Sequence, residues 1–483
     1  MNSRLLTVYG ISAALALVMT GCVSAPTPAS TREPWTPPSE ARTPDTVWAD
    51  VRTRVVADSK PMTLAELADL ALQNNPASRQ AWSAARAAAA QVDQAQGLFM
   101  PTLTGVAGAN RHYLSAQPRS FTDDYLKYGP SLKVNYLILN FGGGRQAAVE
   151  QALQTVYAAD FTFNRTIQDA LLAVELAYYN QVSAQAGIEA AQAGVKDATT
   201  ALTAATERKN AGVGTQLEVL QAQAGYDQAR YLLANAEGSA KIARGMLARA
   251  AGLPADAPVQ VVLPAVELPE PVTTQDMKTL LDEALARRPD MAALRATVAA
   301  ADAGVKVAGA ARWPSLYLNG GVGYEQFENQ GQRDLQDRDW SADAGLSLQW
   351  TIFDGFQTQS AKRAAQAQAD AARAQLQQAE LAACSEVWNR YYAYETAIQK
   401  YAFSTAFLKS ATASYDLALD SYKAGLRSIL DLLNAESLAA QARSQQLTAR
   451  QEAFSALAAL AHATGLLEAN DSASVRELFP TSK

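Results

Sequence analysis

The stretch Tyr422–Ala435 reads YKAGLRSILDLLNA, and the stretch Lys209–Ala222, which lies 213 residues earlier, reads KNAGVGTQLEVLQA. Both have a glycine at the fourth position, an acidic residue at the tenth and an alanine at the fourteenth. A glycine after a long Ala-rich run ends a helix readily, because it adopts the left-handed conformation without strain. Each stretch therefore predicts a turn between two helices, and the pair predicts an internal duplication.

The same offset relates other helix-breaking residues along about 180 residues of the chain. These pairs are Pro76 with Pro289, Pro101 with Pro314, and Gly252 with Gly465. Chance similarity between Ala-rich helices is a poor explanation, because proline and glycine interrupt helices rather than build them. Repeats of about 20 to 50 residues are typical of solenoids, whereas a unit of about 200 residues predicts a duplicated half-structure packed beside its copy.

Each unit predicts a helix, a hairpin and then two very long helices. Thr63 and Glu66 have the spacing of a capping box at the start of the first helix, which breaks near Asn75-Pro76. The long helical patterns run from about Arg145 to Lys209 and from about Thr358 to Lys423. Each corresponds to about 100 Å of helix. Helices of this length need neighbours in water, so we expect them to coil together.

Strict alternation of apolar and polar residues marks the hairpin strands. It is clearest over 131–138, 315–324 and 341–352. Such a two-residue period held over about 10 residues suits a tilted strand that crosses a bilayer. Trp313 and Trp350 stand near strand ends, where interfacial aromatic residues are expected.

The segments between paired strands are polar, and we expect long loops over Asn110–Asp124 and Glu325–Asp339. The alternative is a soluble β-sandwich with one solvent-exposed face. Long polar loops disfavour this alternative. Four strands are too few to close a barrel, since the smallest membrane barrels have about 8. Open sheet edges are not tolerated in lipid, so several chains would have to contribute.

The N-terminus predicts a secretory leader. Arg4 precedes a short apolar run at 11–19, which is too short to span a bilayer as a helix. Thr20-Gly21 before Cys22 resembles a bacterial lipobox, although Met19 stands where leucine is usual. The expectation is cleavage before Cys22 and acylation of that residue, with an ordinary signal peptide as the alternative. The Pro-rich segment that follows suits an extended tether.

These patterns divide the chain into six predicted parts. They are a signal peptide (1–21), a lipid-anchored tether (22–60), a first structural repeat (61–253) with a hairpin at 101–139 and long helices at 145–250, a Pro-rich link between the repeats (254–274), a second structural repeat (275–467) with a hairpin at 314–353 and long helices at 357–466, and a C-terminal tail (468–483).

Composition disfavours several functions. A net charge of −6 without a basic patch gives no support to nucleic-acid binding. His112 and His462 have no Cys, Asp or Glu at metal-ligand spacing, and Cys384 is the only cysteine besides Cys22. The sequence has no phosphate-binding loop and no persuasive Ser-His-Asp set. We therefore expect no enzyme activity and no cofactor beyond a covalent lipid on Cys22.

Over about residues 60–467, the duplicated layout and the two turn stretches resemble the TolC-like outer-membrane efflux proteins of the lipid-anchored kind. The resemblance implies a mainly α fold with a membrane β-barrel portion. Three chains would supply four strands each to a 12-stranded barrel, and their long coiled helices would form an α-barrel through the periplasm. It implies a homotrimer in the outer membrane of a Gram-negative bacterium, which binds a periplasmic adaptor (membrane fusion) protein and an inner-membrane transporter.

The resemblance also implies a gate beside the turns. Tyr422 would hydrogen-bond Glu218, and Arg427 would reach the backbone carbonyl of Leu217 or a neighbouring chain. Asp431 would project into the lumen and form a ring of three carboxylates in the trimer. Such a ring attracts cations, and repulsion among its charges raises the pKa of at least one carboxyl group. Asn434 departs from relatives that carry a second acid there. Other members close with leucine, for which Leu430 and Leu433 are the candidates.

The turns themselves are the predicted contact for the adaptor, because small residues there expose backbone to a partner. These residues are Gly212, Val213, Gly214, Ala424, Gly425 and Leu426. Helix termination by glycine is the purely steric alternative, and both roles are compatible.

The favoured function is passive export of small molecules such as drugs and toxic compounds through this duct. An exit duct for type I protein secretion is the alternative. A structural coiled-coil envelope lipoprotein and a soluble helical binding module are less consistent with the alternating hairpins.

Overall fold

The computed structural model describes residues 61–116, 121–262, 277–329 and 337–467. The predicted signal peptide, Cys22, the tether, most of the Pro-rich link and the C-terminal tail lie outside the described residues.

The described chain runs twice through the same order of two short helices, two strands and two long helices. The elements are α1 (Leu64–Asn74), α2 (Pro76–Gln96), β1 (Thr102–Ala116), β2 (Phe121–Asn140), α3 (Gly144–Asn210), α4 (Gln216–Ala250), α5 (Met277–Arg287), α6 (Pro289–Ala310), β3 (Ser315–Asn329), β4 (Asp337–Gln349), α7 (Gln357–Lys423) and α8 (Ile429–Ala463). The predicted duplication is therefore confirmed.

Local signals set the first helix boundaries. Thr63 caps α1 by accepting from the backbone N–H of Glu66, whose carboxylate accepts from the Thr63 N–H at 2.7 Å. Asn75 then ends α1 and caps α2, and Pro76 occupies the first position of α2, where its missing N–H costs nothing. The predicted capping box and break are thus both confirmed.

The long helices α3 and α7 each have 67 residues, which is about 100 Å of helix. Gly212 and Gly425 follow them with φ of 75° and 77°. The next residues donate back to the helix ends, from the Val213 N–H to the Arg208 carbonyl and from the Leu426 N–H to the Ser421 carbonyl. Both turns are therefore glycine-dependent helix ends of one type, as the repeated glycines predict.

The four strands form one antiparallel sheet in the order β1-β2-β3-β4. The long loops expected over Asn110–Asp124 and Glu325–Asp339 are wrong, because β1 continues to Ala116 and β4 begins at Asp337. Ladder pairs such as Glu325 with Asp339 use backbone groups, so a run of polar side chains does not by itself end a strand. In the described part of the chain, no helix is both long enough and apolar enough to cross a membrane.

The long helices pack as two coil pairs, α3 with α4 and α7 with α8, and α8 also lies along α3. Contacts of α4 with α8, and of α3 with α7, are few. Much of the core near the turns is alanine, which allows close approach of helices. Its buried residues are Ala201, Ala204, Ala205, Ala222, Tyr415, Tyr422, Ile429, Leu432, Ala435 and Ala439. The two coil pairs are thus joined mainly along one seam.

Gly252, which ends α4, gives a test of this packing. Its φ is 73°, and a Cβ there would lie 2.8 Å from the Asn74 carbonyl carbon. We expect Gly252→Ala to destabilise the fold by about 2–3 kcal/mol, because it adds both backbone strain and a clash. In Gly238→Ala, a control within α4 whose Cβ would meet nothing within 4 Å, stability should stay or rise by up to about 1 kcal/mol. Thermal unfolding followed by circular dichroism measures both, and equal midpoints would contradict the packing of this turn.

Candidate functional site at the helix turns

The turns that follow α3 and α7 lie side by side. The Arg208 guanidinium at the end of α3 donates to the Tyr422 carbonyl at 2.8 Å and to the Val213 carbonyl at 3.4 Å. One side chain therefore contacts both turns, although they are more than 200 residues apart in sequence.

Tyr422 lies at the centre of this region, and only 1% of its surface is exposed. Its hydroxyl donates to Glu218 Oε2 at 2.9 Å, so the predicted pair is in contact and links α7 to α4. Burial, together with the hydrogen bond to Glu218, raises the pKa of Tyr422 to about 12. The hydroxyl therefore remains a donor throughout the physiological pH range.

Glu218 and Asp431 occupy equivalent positions in the two repeats but make different contacts. Ser428 and Asp431 form a complete capping box, in which Asp431 Oδ2 accepts from the Ser428 hydroxyl at 2.8 Å. In the first repeat Thr215 caps the Glu218 N–H, but the Glu218 carboxylate extends to Tyr422 instead. The Ser428 hydrogen bonds lower the pKa of Asp431, so within one chain this exposed carboxyl is ionised at neutral pH.

Arg208 is the residue that the sequence reading missed. Besides its two hydrogen bonds, its guanidinium lies over the Tyr422 ring, 4.9 Å from the centroid. A cation in the last turn of a helix is ordinary, since it interacts with the C-terminal carbonyls, so the sequence offered only a weak signal. We call Arg208, Glu218 and Tyr422 the tip latch, because together they join α3, α4 and α7.

The remaining predicted gate residues lie at the surface or in the core. Arg427 is exposed and, within the described residues of one chain, makes no hydrogen bond to Leu217. The predicted contact of Arg427 with the Leu217 carbonyl or with a neighbouring chain stays a prediction, whereas Arg208 binds the neighbouring turn. Leu430 is 56% exposed and Asn434 is also exposed, whereas Leu433 packs against the alanine-rich core. Of the two leucines, Leu430 has the more exposed side chain.

The turn residues present apolar side chains and close backbone approaches. Val213 and Leu426 are 66% and 80% exposed. A Cβ on Gly214 would lie 2.9 Å from the Lys209 nitrogen, and one on Gly425 would lie 3.2 Å from Arg208 Nη1. The glycines are thus required sterically, and Gly212 and Ala424 leave the outer surface of the turns small and exposed.

Tryptophans lie at both ends of the second hairpin. Trp313 and Trp350, the predicted interfacial residues, are 58% and 59% exposed beside the helical end of the sheet, and Trp350 donates to the Arg312 carbonyl. Trp340, at the far end of β4, is 75% exposed and contacts Tyr324. The sequence pattern does not single out Trp340, which lies between the expected loop at 325–339 and the expected strand at 341–352.

No cluster of metal-ligating side chains is present among the described residues. His462 is buried with Nε2 2.7 Å from Asp169, and burial lowers the pKa of this histidine, which fits a structural role. The His112 side chain lies outside the description. Cys384 is a free, half-buried residue of α7.

Long coiled helices that end in a polar latch, joined to a sheet of long strands with exposed tryptophans, define the class of outer-membrane export channels. Comparisons with known proteins agree. The family model for outer membrane efflux proteins matches residues 67–253 and 280–466, one copy in each repeat. The chain belongs to the outer membrane efflux protein family.

Individual relatives match different lengths of the chain. Protein CyaE of Bordetella pertussis is 31% identical over 405 residues, which are 83% of this chain and 84% of CyaE. The pyoverdine export outer membrane protein OpmQ of Pseudomonas aeruginosa is 31% identical over 248 residues, or 48% of this chain and 51% of OpmQ. The structure of the outer-membrane channel OprN matches with a TM-score of 0.71 at 25% identity, over 83% of this chain and 89% of OprN.

The sequence-based assignments of family, fold class and export-duct function are therefore confirmed. The family and the fold are those of outer-membrane channels.

Proposed function

We propose that three copies of this chain form the exit duct of a tripartite export system, which passively carries small molecules from a periplasmic adaptor and an inner-membrane transporter to the outside. The sheet supports this proposal most strongly. In the described chain β1 and β4 are its two outer strands, and a membrane sheet cannot leave such edges in lipid. Three copies joined edge to edge would give 12 strands in one closed barrel.

In this proposal the tip latch keeps the periplasmic end of the duct closed. The two coil pairs contact each other mainly along α3 and α8, so the Tyr422–Glu218 and Arg208–Tyr422 contacts add cross-links where a small movement widens the lumen. Asp431 would form the ring of three carboxylates, with Asn434 beside it and Leu430 as the hydrophobic constriction. Arg427, being exposed, would pair with a neighbouring chain.

The small exposed residues of both turns would bind the adaptor. Cys22 would carry the lipid that anchors the chain to the outer membrane, and the Pro-rich link would lie in an equatorial collar around the helices. The name of OpmQ, a pyoverdine export protein, supports a small-molecule cargo. The absence of a phosphate-binding loop from the whole sequence leaves the supply of energy to the inner-membrane partner.

A photo-reactive amino acid at Leu426 tests the proposal, because this side chain is 80% exposed at the turn. Irradiation of the intact envelope, followed by mass spectrometry, should capture an adaptor of a proton-driven pump. The control is the same amino acid at Leu381, which is 75% exposed within α7, far from both turns. Capture of an adaptor of an ATP-driven protein exporter would replace small-molecule export by protein secretion. Capture of copies of this chain alone would contradict docking at the turns.

A further inference from the structure

A second set of polar side chains crosses the helices about three turns above the tip latch. Arg443 on α8 donates to Asp197 on α3 at 2.6 Å, and each side chain is only 19% exposed. The Tyr415 hydroxyl on α7 donates to the Asp197 carbonyl at 3.2 Å. Glu436 on α8 completes the set, which we call the buried polar layer. It therefore links α3 with both helices of the second coil pair.

Glu436 is the one member of this layer whose charge is poorly satisfied. Its Oε2 atom is buried and has no hydrogen-bond partner among the described residues. Arg443, the nearby cation on the same helix, is already engaged by Asp197. A buried ionised carboxylate with an unpartnered oxygen is costly, whereas the neutral acid is much less so. The layer is therefore stabler when Glu436 is protonated.

Charged and titratable groups around Glu436 come from α3, α7 and α8. Asp197 from α3 repels its charge and Arg443 from α8 attracts it, while Tyr415 from α7 faces the same layer, with Asp416 beside it. Helix α4 contributes Ala222 to the buried cluster. Burial first, and then Asp197, raise the pKa of Glu436 from 4.5 to about 7, against the opposing effect of Arg443.

We propose that the buried polar layer is a second restraint between the two coil pairs, and that it weakens when Glu436 loses its proton. This inference rests on the proposed duct, whose opening requires the coil pairs to separate. Separation of the coil pairs exposes Glu436 to water, where its pKa returns to the ordinary value. Between pH 4.5 and about 7, the packed arrangement therefore holds the proton and the separated one does not. Lower pH favours the packed arrangement, and its added stability is lost as pH rises through about 7.

Planar-bilayer conductance of the purified full-length protein, recorded from pH 5.5 to 8, tests this restraint. Each pH unit between the two pKa values shifts the equilibrium by up to about tenfold per chain. We expect mean conductance to rise roughly threefold or more across this range. Glu436→Gln, which keeps the shape and removes the charge, should give a flat profile at the low conductance of the acid form. Glu207→Gln, at an exposed carboxylate near the end of α3, should keep the wild-type profile.

A second variant keeps the test decisive if Glu436→Gln folds poorly. Asp197→Asn removes the repelling charge and frees Arg443 to attract Glu436, so the pH midpoint should move toward acid. A wild-type profile that is flat, or a Glu436→Gln profile that follows the wild type, would overturn the inference while leaving the duct intact. Failure of the wild type to conduct at any pH would instead overturn the proposed duct.

Discussion

Arg208→Ala is expected to open the duct. The substitution removes the hydrogen bond that joins the two turns, the local hydrogen bond to the Val213 carbonyl and the contact with the Tyr422 ring. Hydrogen bonds from charged groups contribute about 1.5–3 kcal/mol, and for this half-buried side chain we take about 2 kcal/mol in total. That corresponds to about a 30-fold shift toward the unlatched arrangement in each chain. Planar-bilayer conductance should rise, and cells should become permeable to large antibiotics that the outer membrane normally excludes.

A substitution at a comparable arginine outside the tip latch is the control for non-specific loss of structure. Arg230 also lies over a tyrosine ring, that of Tyr226 at 5.7 Å, but it is exposed on α4 and away from the turns. Arg230→Ala should leave conductance unchanged. Arg208→Lys keeps the charge but cannot span two carbonyls as a guanidinium does, so it should give an intermediate value. Wild-type conductance in Arg208→Ala would remove Arg208 from the latch.

The tyrosine half of the latch can be measured separately by a double-mutant cycle. Tyr422→Phe removes the hydroxyl that donates to Glu218, and Glu218→Ala removes the carboxylate that accepts this hydrogen bond. If the contact restrains opening, each single variant raises conductance and the double variant adds little more, because the same contact is already lost. Additive effects would show that the two residues act independently.

The sequence predicts the long elements well for a physical reason. Glycines with positive φ end α3 and α7, and no tertiary contact is needed to infer such ends from the repeated stretches. Strand ends are harder to predict from the sequence. Polar residues at 110–124 and 325–339 suggested loops, yet the ladder continues through backbone pairs such as Tyr113 with Asp124. Side-chain polarity is informative about strand ends only where a face is buried.

The latch shows where sequence reasoning stops. The Tyr422–Glu218 pair came from family resemblance, since spacing alone says little about side chains 204 residues apart. Arg208 could not be found in this way, because its repeat equivalent is Ser421 and its role depends on how the two turns meet. The buried state of Glu436 likewise follows from three packed helices and not from any motif.

Arg288→Ala is expected to cause the largest loss of stability among the variants considered. The Arg288 side chain is only 5% exposed and donates to Glu386 and Asp290 at 2.7 Å each, and to the Ala463 carbonyl at 3.1 Å. It thereby fixes the start of α6 to α7 and to the end of α8. Removing one partner of a buried ion pair leaves carboxylates uncompensated and costs about 3–5 kcal/mol. The unfolding midpoint should fall by roughly 5 °C or more.

The pH dependence of the unfolding midpoint distinguishes loss of the Arg288 ion pairs from simple cavity formation. Burial tends to raise the pKa of Asp290, but the hydrogen bonds and charge of Arg288 outweigh it and lower that pKa below 3.8. The ion pair therefore stabilises the fold above pH 3.8, and its contribution disappears as pH falls through the lowered pKa. The difference in midpoint between wild type and Arg288→Ala should be full at pH 7 and shrink below about pH 4. A difference that stays constant would indicate lost packing alone.

Two further substitutions define what Arg288 contributes. Asn75, its equivalent in the first repeat, has nearly the same backbone angles and caps its helix through its side chain. Arg288→Asn should therefore restore a helix cap while losing both ion pairs, and its midpoint should lie between those of wild type and Arg288→Ala. Arg295→Ala, at an arginine whose side chain is 45% exposed, should change the midpoint little. If Arg288→Asn is no better than alanine, the ion pairs and not the helix start determine stability at this junction.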